Sequence, residues 1–365
     1  MGFESGSISF RMFYLAGRMP EDAVRRFARH AAPPIDTLGR EAVTGWVTGR
    51  HLLDRNITAE NAYVAGYLRL TLMKAERKIP ESLLRAECFM EELAELQARG
   101  VQFLKREVRA EIRRTVMERI LPNMPPSLQG IPFVHDSRAD LVYAGATAEK
   151  QTEAFVVQFG HTTGVTLAPA TPAAAALKRM RVNARDLDPT SFSPECEDEL
   201  ASDSLGQDFL TWLWFHSEAR GGMLRRDDAE FAAAIEGPLL FVNEGDGAHE
   251  ALLRRGTPLV SSEAKTALLS GKKLRCARLT LARGDEMWTC SLDAEVFTFR
   301  GLKLPKGDAV EPVGRFQERL LSLETFREAF LGFFDEFLKE RSEPARWKTT
   351  RKEIHAWVAG RAAKR

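Results

Sequence analysis

Apolar residues alternate with polar ones over 8–15, where Ile8, Phe10, Met12 and Tyr14 share one face. This two-residue period predicts a half-buried strand. Pro20-Glu21-Asp22 then opens a short helix over 20–31, with acids in its first turn and Arg25, Arg26 and Arg29 behind them. Residues 66–73 alternate again, with Leu68, Leu70 and Leu72 to one side and Tyr67, Arg69 and Thr71 to the other. Next comes a helical region. Pro80-Glu81 is a favourable helix start, because proline at the first position gives up no needed hydrogen bond. Leu83, Ala86, Phe89/Met90, Leu93 and Leu96 recur at helical spacing, and Arg99-Gly100 has the form of a C-terminal cap. A second helix is expected over 101–121, with Leu104, Val108, Ile112, Val116 and Ile120 as its apolar row, ended by Pro122, Pro125 and Pro126. The two would make a projecting helical arm, each about 30 Å long at 1.5 Å per residue.

Strands at 131–135 and 141–145 and a helix at 146–159 follow. Residues 183–206 are rich in Asp, Glu, Ser and Pro, the composition of a linker. Beyond it the pattern predicts a helix near 207–216, strands near 238–242, 274–282, 286–292 and 295–300, and a long helix over 312–340. The long helix carries Phe316, Leu320, Leu321, Phe326, Phe330, Phe333, Phe334 and Phe337. Strands and helices mix without βαβ alternation, so the expected class is α+β with antiparallel or mixed sheets. The expected division is a first α+β unit (1–75 with 127–182), a helical arm (76–126), an acidic linker (183–206), a second α+β unit of similar size (207–340) and a basic C-terminal tail (341–365).

Length and composition are those of an ordinary globular protein: 365 residues, 44% apolar and 28% charged. The formal net charge is +1, so any nucleic-acid surface must come from local segregation of basic residues. Cys88, Cys196, Cys276 and Cys290 form no C-x-x-C pair and have no histidines at zinc spacing. Cys276 and Cys290 are placed to face each other across a hairpin near Gly284, but two small buried side chains are the favoured reading over a disulfide. The start lacks a basic stretch followed by an apolar one, Gly6 breaks a myristoylation pattern, and no run of about 18 apolar residues exists. A cytoplasmic protein is the expectation.

Basic residues segregate in two places. The 101–121 helix carries Lys105, Arg106, Arg109, Arg113, Arg114 and Arg119 against Glu107, Glu111 and Glu118. Lys105, Arg109 and Arg113 are four residues apart and line one face, a stripe suited to successive phosphates; the competing reading is a solvated face with local ion pairs. The tail holds Arg341, Arg346, Lys348, Arg351, Lys352, Arg361, Lys364 and Arg365 with Trp347 and Trp357 interleaved. That mixture suits a DNA backbone and unstacked bases, against the alternative of tryptophans docking an amphipathic helix. Lys178, Arg179, Arg181 and Arg185 form a smaller cluster.

Signs of catalysis are thin. No Gly-rich phosphate loop, G-x-S-x-G elbow or H-E-x-x-H is present, and the seven histidines are scattered singly. Glu263-Ala264-Lys265 has the spacing of a nuclease E-x-K but opens a helix-like stretch, 262–269, where that motif belongs on a strand. Thr211-Trp212-Leu213-Trp214-Phe215 reads as a buried helix, and Gly245-Asp246-Gly247 as a turn. No catalytic residue, metal ligand or cofactor is assigned.

The order of short motifs adds a resemblance. Gly45-Trp46-Val47 comes first, then a strand running into Lys74-Ala75-Glu76-Arg77-Lys78-Ile79-Pro80, then Lys105-Arg106-Glu107-Val108 and Leu121-Pro122. Leu210-Thr211-Trp212-Leu213, Ser270-Gly271-Lys272-Lys273-Leu274, Leu279-Thr280-Leu281 and Leu302-Lys303-Leu304 follow. This succession resembles the recombination-associated RdgC family over about two-thirds of the chain, with each motif weak by itself and the order carrying the likeness. Asn123-Met124-Pro125-Pro126 stands where the family has an aromatic after the Leu-Pro. The resemblance implies a horseshoe-shaped subunit, a ring-shaped homodimer around double-stranded DNA, no sequence preference, restraint of a recombinase and a nucleoid-associated location. The DNA contacts expected are Arg77, Lys78, Lys105, Arg106, Arg109, Arg113, Arg114, Arg119, Arg346, Lys348, Arg351 and Lys352. The alternatives are a metal-dependent DNA exonuclease and a protein-interaction factor of the recombination machinery that does not touch DNA.

Overall fold

In the computed structural model, which describes residues 2–196, 204–226, 229–243 and 249–360, the chain opens with β1 (Ile8–Leu15), α1 (Ala23–Arg29), β2 (Val43–Thr48), α2 (Ala59–Ala62) and β3 (Tyr63–Val64). β4 (Tyr67–Arg77), α3 (Glu81–Arg99), α4 (Arg106–Ile120), β5 (Pro126–Asp136), β6 (Leu141–Ala144), α5 (Glu149–Thr163), β7 (Leu167–Pro169) and α6 (Pro172–Met180) come next. The remainder is α7 (Leu205–Ala219), β8 (Met223–Arg226), β9 (Ala229–Val242), β10 (Glu250–Leu253), α8 (Ser262–Leu269), β11 (Lys273–Arg283), β12 (Glu286–Asp293), β13 (Thr298–Lys303), α9 (Pro312–Arg341) and α10 (Pro344–Gly360). The class is α+β, and no helix among the described residues is long and apolar enough to cross a membrane.

Two compact units emerge: residues 1–19, 63–68 and 134–365 in one, 20–62 and 69–133 in the other. The division falls within β4 and β5, not in the acidic stretch after residue 182. The sequence places 20–62 and 69–75 with the first strand. The structure instead groups them with α3 and α4, because β2 pairs with β4 from Val43↔Ala75 to Thr48↔Leu70.

The larger unit is built on an antiparallel ladder, β10-β9-β11-β12-β13-β1. β6 and β7 pair with β1, and β8 with β9. β1 is buried on both faces, not one: Arg11 and Phe13 are buried beside Phe10 and Met12. Arg11 is satisfied there by Thr298 Oγ1 at 2.7 Å and Thr152 Oγ1 at 3.1 Å, as a buried guanidinium must be. α7 is buried on all sides from Leu205 to Phe215, as the Trp-rich run predicts, with Gln207, Asp208 and Thr211 buried among its apolar residues. Against it stands α9, whose phenylalanines recur at three- and four-residue spacing. Phe209 meets Phe330 and Phe334 edge-on, with ring centroids 5.6 and 5.1 Å apart. Leu321, counted in the apolar row, faces outward instead.

The expected linker and tail both turn out to be packed structure. Thr190, Ser191, Phe192 and Ser193 are buried; residues 197–203 of that stretch lie outside the described residues. The segment is pinned by Trp347 Nε1 donating to Thr190 Oγ1 at 3.2 Å and by Ser193 Oγ donating to Leu269 O at 2.6 Å. The polar composition that suggests a linker here supplies hydroxyls to neighbouring helices. Most of the tail is α10, docked through Trp347, Ile354 and Val358; residues 361–365 lie outside the described residues.

In the smaller unit the 69–77 portion of β4 lies between β2 and β5. Its core is the aromatic trio Phe27, Trp46 and Phe133, with Trp46 edge-on to both phenylalanines at 4.8 and 5.4 Å. α3 and α4 pack on each other through Leu84, Cys88 and Val116, with Ile112 and Ile120 beside them. α3 ends as its sequence predicts, on Gly100 at φ 64°. α4 is shorter than expected: it starts at Arg106, with Lys105 as its extended N-cap, so 101–105 connects the helices instead of extending the second.

Candidate nucleic-acid interface

The charges of α3 and α4 are arranged against each other. α3 carries Glu81, Glu87, Glu91, Glu92 and Glu95, and α4 carries Arg106, Arg109, Arg113, Arg114 and Arg119. Arg119 bonds Glu91 at 2.6 Å and Glu87 at 3.0 Å, and Arg114 bonds Glu111 at 2.6 Å. Arg109 and Arg113 are held more loosely, at 3.7 Å from Glu92 and 3.5 Å from Glu81. The expected phosphate stripe is therefore largely a set of solvent-exposed ion pairs. Lys105 and Arg106 differ: both are exposed, and neither has an acidic partner among the described residues.

The cations before the arm are committed locally. Arg77 is half-buried, and its guanidinium donates to Leu38 O at 3.5 Å and to Met124 O, tying the strand end to two loops. Lys78 lies 2.5 Å from Glu76, which also meets Lys74 at 2.9 Å. Hydrogen bonds from Lys78 and then Lys74 hold the Glu76 carboxyl below the ordinary carboxylate range. Arg77 thus ties loops of its own unit together while remaining partly exposed.

On α10, Arg346 pairs with Glu343 at 2.8 Å, Lys348 and Lys352 are exposed, and Arg351 is half-buried. The tryptophans are not displayed for bases. Trp347 is buried, and Trp357 stands edge-on to Trp214 at 5.1 Å while its Nε1 donates to Glu218 at 3.1 Å. Docking of an amphipathic helix, the competing reading, is what α10 does. In the smaller cluster, Arg179 is a bidentate partner of Asp335 at 2.7 and 2.5 Å, and Lys178 lies over the Tyr14 ring at 4.1 Å.

Among the described residues, no three or more His, Cys, Asp or Glu side chains are grouped to hold a metal ion. Glu263 and Lys265 sit on α8, where Lys265 Nζ donates to Ala359 O at 3.1 Å. All four cysteines are free thiols. Cys276 is opposite Asp293 in the β11–β12 ladder and Cys290 is opposite Leu279, so the two do not face each other. Burial pushes the Cys276 thiol up to about 12, with Asp293 adding to the shift, so it is no thiolate nucleophile at neutral pH.

Two features escape a reading of the sequence. Asp208 lies buried between Lys273 and Arg341, three residues far apart in the chain. Arg40, a single arginine in a loop, stands beside the outer face of α4. Neither belongs to a local pattern that would reveal it. No protein-family model matches the chain, and no curated protein matches it.

Proposed function

We propose that the chain binds double-stranded DNA without sequence preference, as a ring-shaped homodimer of the RdgC kind, and so restrains recombinase action at the nucleoid. The motif order motivates this reading. The observation that carries it is the exposed pair Lys105 and Arg106 at the start of α4, unpartnered among the described residues and followed one turn on by the loosely held Arg109. Exposed ion pairs contribute about 0–1 kcal/mol, so a phosphate can replace Glu92 or Glu81 at little cost. Lys348 and Lys352, exposed one turn apart on α10, are a second contact surface. Such contacts position a duplex without reading its bases.

Binding of the full chain to a random-sequence duplex, titrated between 50 and 200 mM salt with mass measured in parallel, tests the reading. The expected result is a dimer whose affinity falls roughly 10³-fold over that range, the signature of about six phosphate contacts. Absence of binding at 50 mM salt overturns it.

A further inference from the structure

Along the outer side of α4 runs an open groove of about 420 Å³, lined by Arg40, Arg113, Arg114, Met117, Glu118 and Leu121. Three guanidiniums and one carboxylate line it, and Arg114 is already paired with Glu111 at 2.6 Å, so the available charge comes from Arg40 and Arg113. Arg40 has no ion-pair partner among the described residues, and Arg113 has only the loose contact to Glu81 at 3.5 Å. Between these cations the floor is apolar: Met117 is 39% exposed, a large hydrophobic side chain left open on a helix otherwise crowded with charge.

We propose that this groove binds an acidic peptide segment that also carries a large apolar side chain. Guanidiniums take carboxylates in planar, two-pronged hydrogen bonds, which favours aspartate- or glutamate-rich chain over a bare point charge. Methionine is unbranched and polarisable, so it adapts to an aromatic or aliphatic side chain laid on it. Duplex DNA fits the same surface less well. Its phosphodiester backbone carries no large apolar group to cover Met117 and Leu121, whereas Glu118 opposes any anionic occupant alike. The proposal goes beyond DNA binding and does not depend on it, since Arg40 and Met117 take no part in the phosphate contacts assigned above.

The test uses the full chain and a fluorescein-labelled peptide of four aspartates followed by leucine and phenylalanine, read by anisotropy at 50 mM salt. Saturable binding at micromolar peptide is expected. Arg40→Ala and Met117→Ser, both at exposed positions, should each weaken it about tenfold, the loss of one good charged or apolar contact. A peptide with serines in place of leucine and phenylalanine should weaken similarly, and this arm leaves the protein unaltered. No saturable binding, or equal binding of the serine peptide, overturns the proposal. So does a duplex that binds with dependence on Arg40 while the peptide does not bind, because the groove is then a nucleic-acid site. If DNA binding at Lys105 and Arg106 fails while the peptide binds, only the DNA reading falls.

Discussion

Arg119 on α4 donates from Nη1 to Oε1 of Glu91 on α3 at 2.6 Å, so a cation that the sequence offers to DNA is satisfied inside the protein. Glutamates of α3 likewise answer Arg109 and Arg113 of α4, Arg114 pairs with Glu111 of its own helix, and Lys105 and Arg106 are left over among the described residues. If duplex binding depends on the unpaired cations, Lys105→Ala/Arg106→Ala removes two contacts from each subunit of the dimer and should reduce the slope of log affinity against log salt by about 4, while Arg119→Ala leaves it nearly unchanged. Binding isotherms at four salt concentrations check this, and equal slopes for the two variants would refute the assignment.

What the sequence reveals is periodic. α3, α7 and α9 are visible because burying one stripe, or all sides, of a helix imposes a regular spacing of apolar residues, and Gly100 is visible because a left-handed cap favours glycine. Charge partners have no such period. Arg113 and Glu81 are 32 positions apart, and only the packing of Leu84 and Cys88 on Val116 brings their helices together. The acidic stretch near 190 misleads for a related reason: its hydroxyls serve α8 and α10, which a composition count cannot register.

Gly45 of the Gly45-Trp46-Val47 motif is required by packing. A Cβ there would lie 2.4 Å from Ala32 Cα and 2.6 Å from Ala32 N, where Trp46 N donates to His30 O and Ala32 N to Trp46 O. Gly45→Ala must separate two hydrogen-bonded backbone segments, and a loss of about 1–3 kcal/mol is expected. Urea unfolding of the variant should show a lower midpoint at unchanged slope; an unaltered midpoint would mean the segments separate freely.

His135 is 6% exposed, and its Nε2 has no hydrogen-bond partner among the described residues. Burial pushes its pKa below the ordinary histidine value, with Asp136 and Asp140 opposing in part. The folded state therefore binds fewer protons than the unfolded state below pH about 6.5. The stability this contributes is fully present above that pH and is lost as pH falls towards the folded-state pKa. His216, also lowered by burial, acts in the same direction. His135→Leu should shrink the drop in urea midpoint between pH 7.5 and 5.5, and a drop of unchanged size would exclude His135 as a source.

The costliest single change should be at Asp208. Its carboxylate lies 2.6 Å from Lys273 Nζ and 3.5 Å from Arg341 Nε, with the Asp208 and Lys273 side chains only 5% and 1% exposed. Arg341 also donates to Asp188 O at 2.5 Å and lies over the Trp347 ring at 4.9 Å. One carboxylate thus serves two cations arriving from β11 and α9. Asp208→Asn leaves both beside a neutral amide, and removing one partner of a buried pair costs about 3–5 kcal/mol. Lys273→Met removes one cation together with its partner's burden, so Asp208→Asn/Lys273→Met should cost less than the two single changes added together. Guanidinium unfolding of the four proteins measures that difference. Strict additivity would show that Asp208 and Lys273 are neighbours without being coupled, and that Arg341 is the cation Asp208 is there to hold.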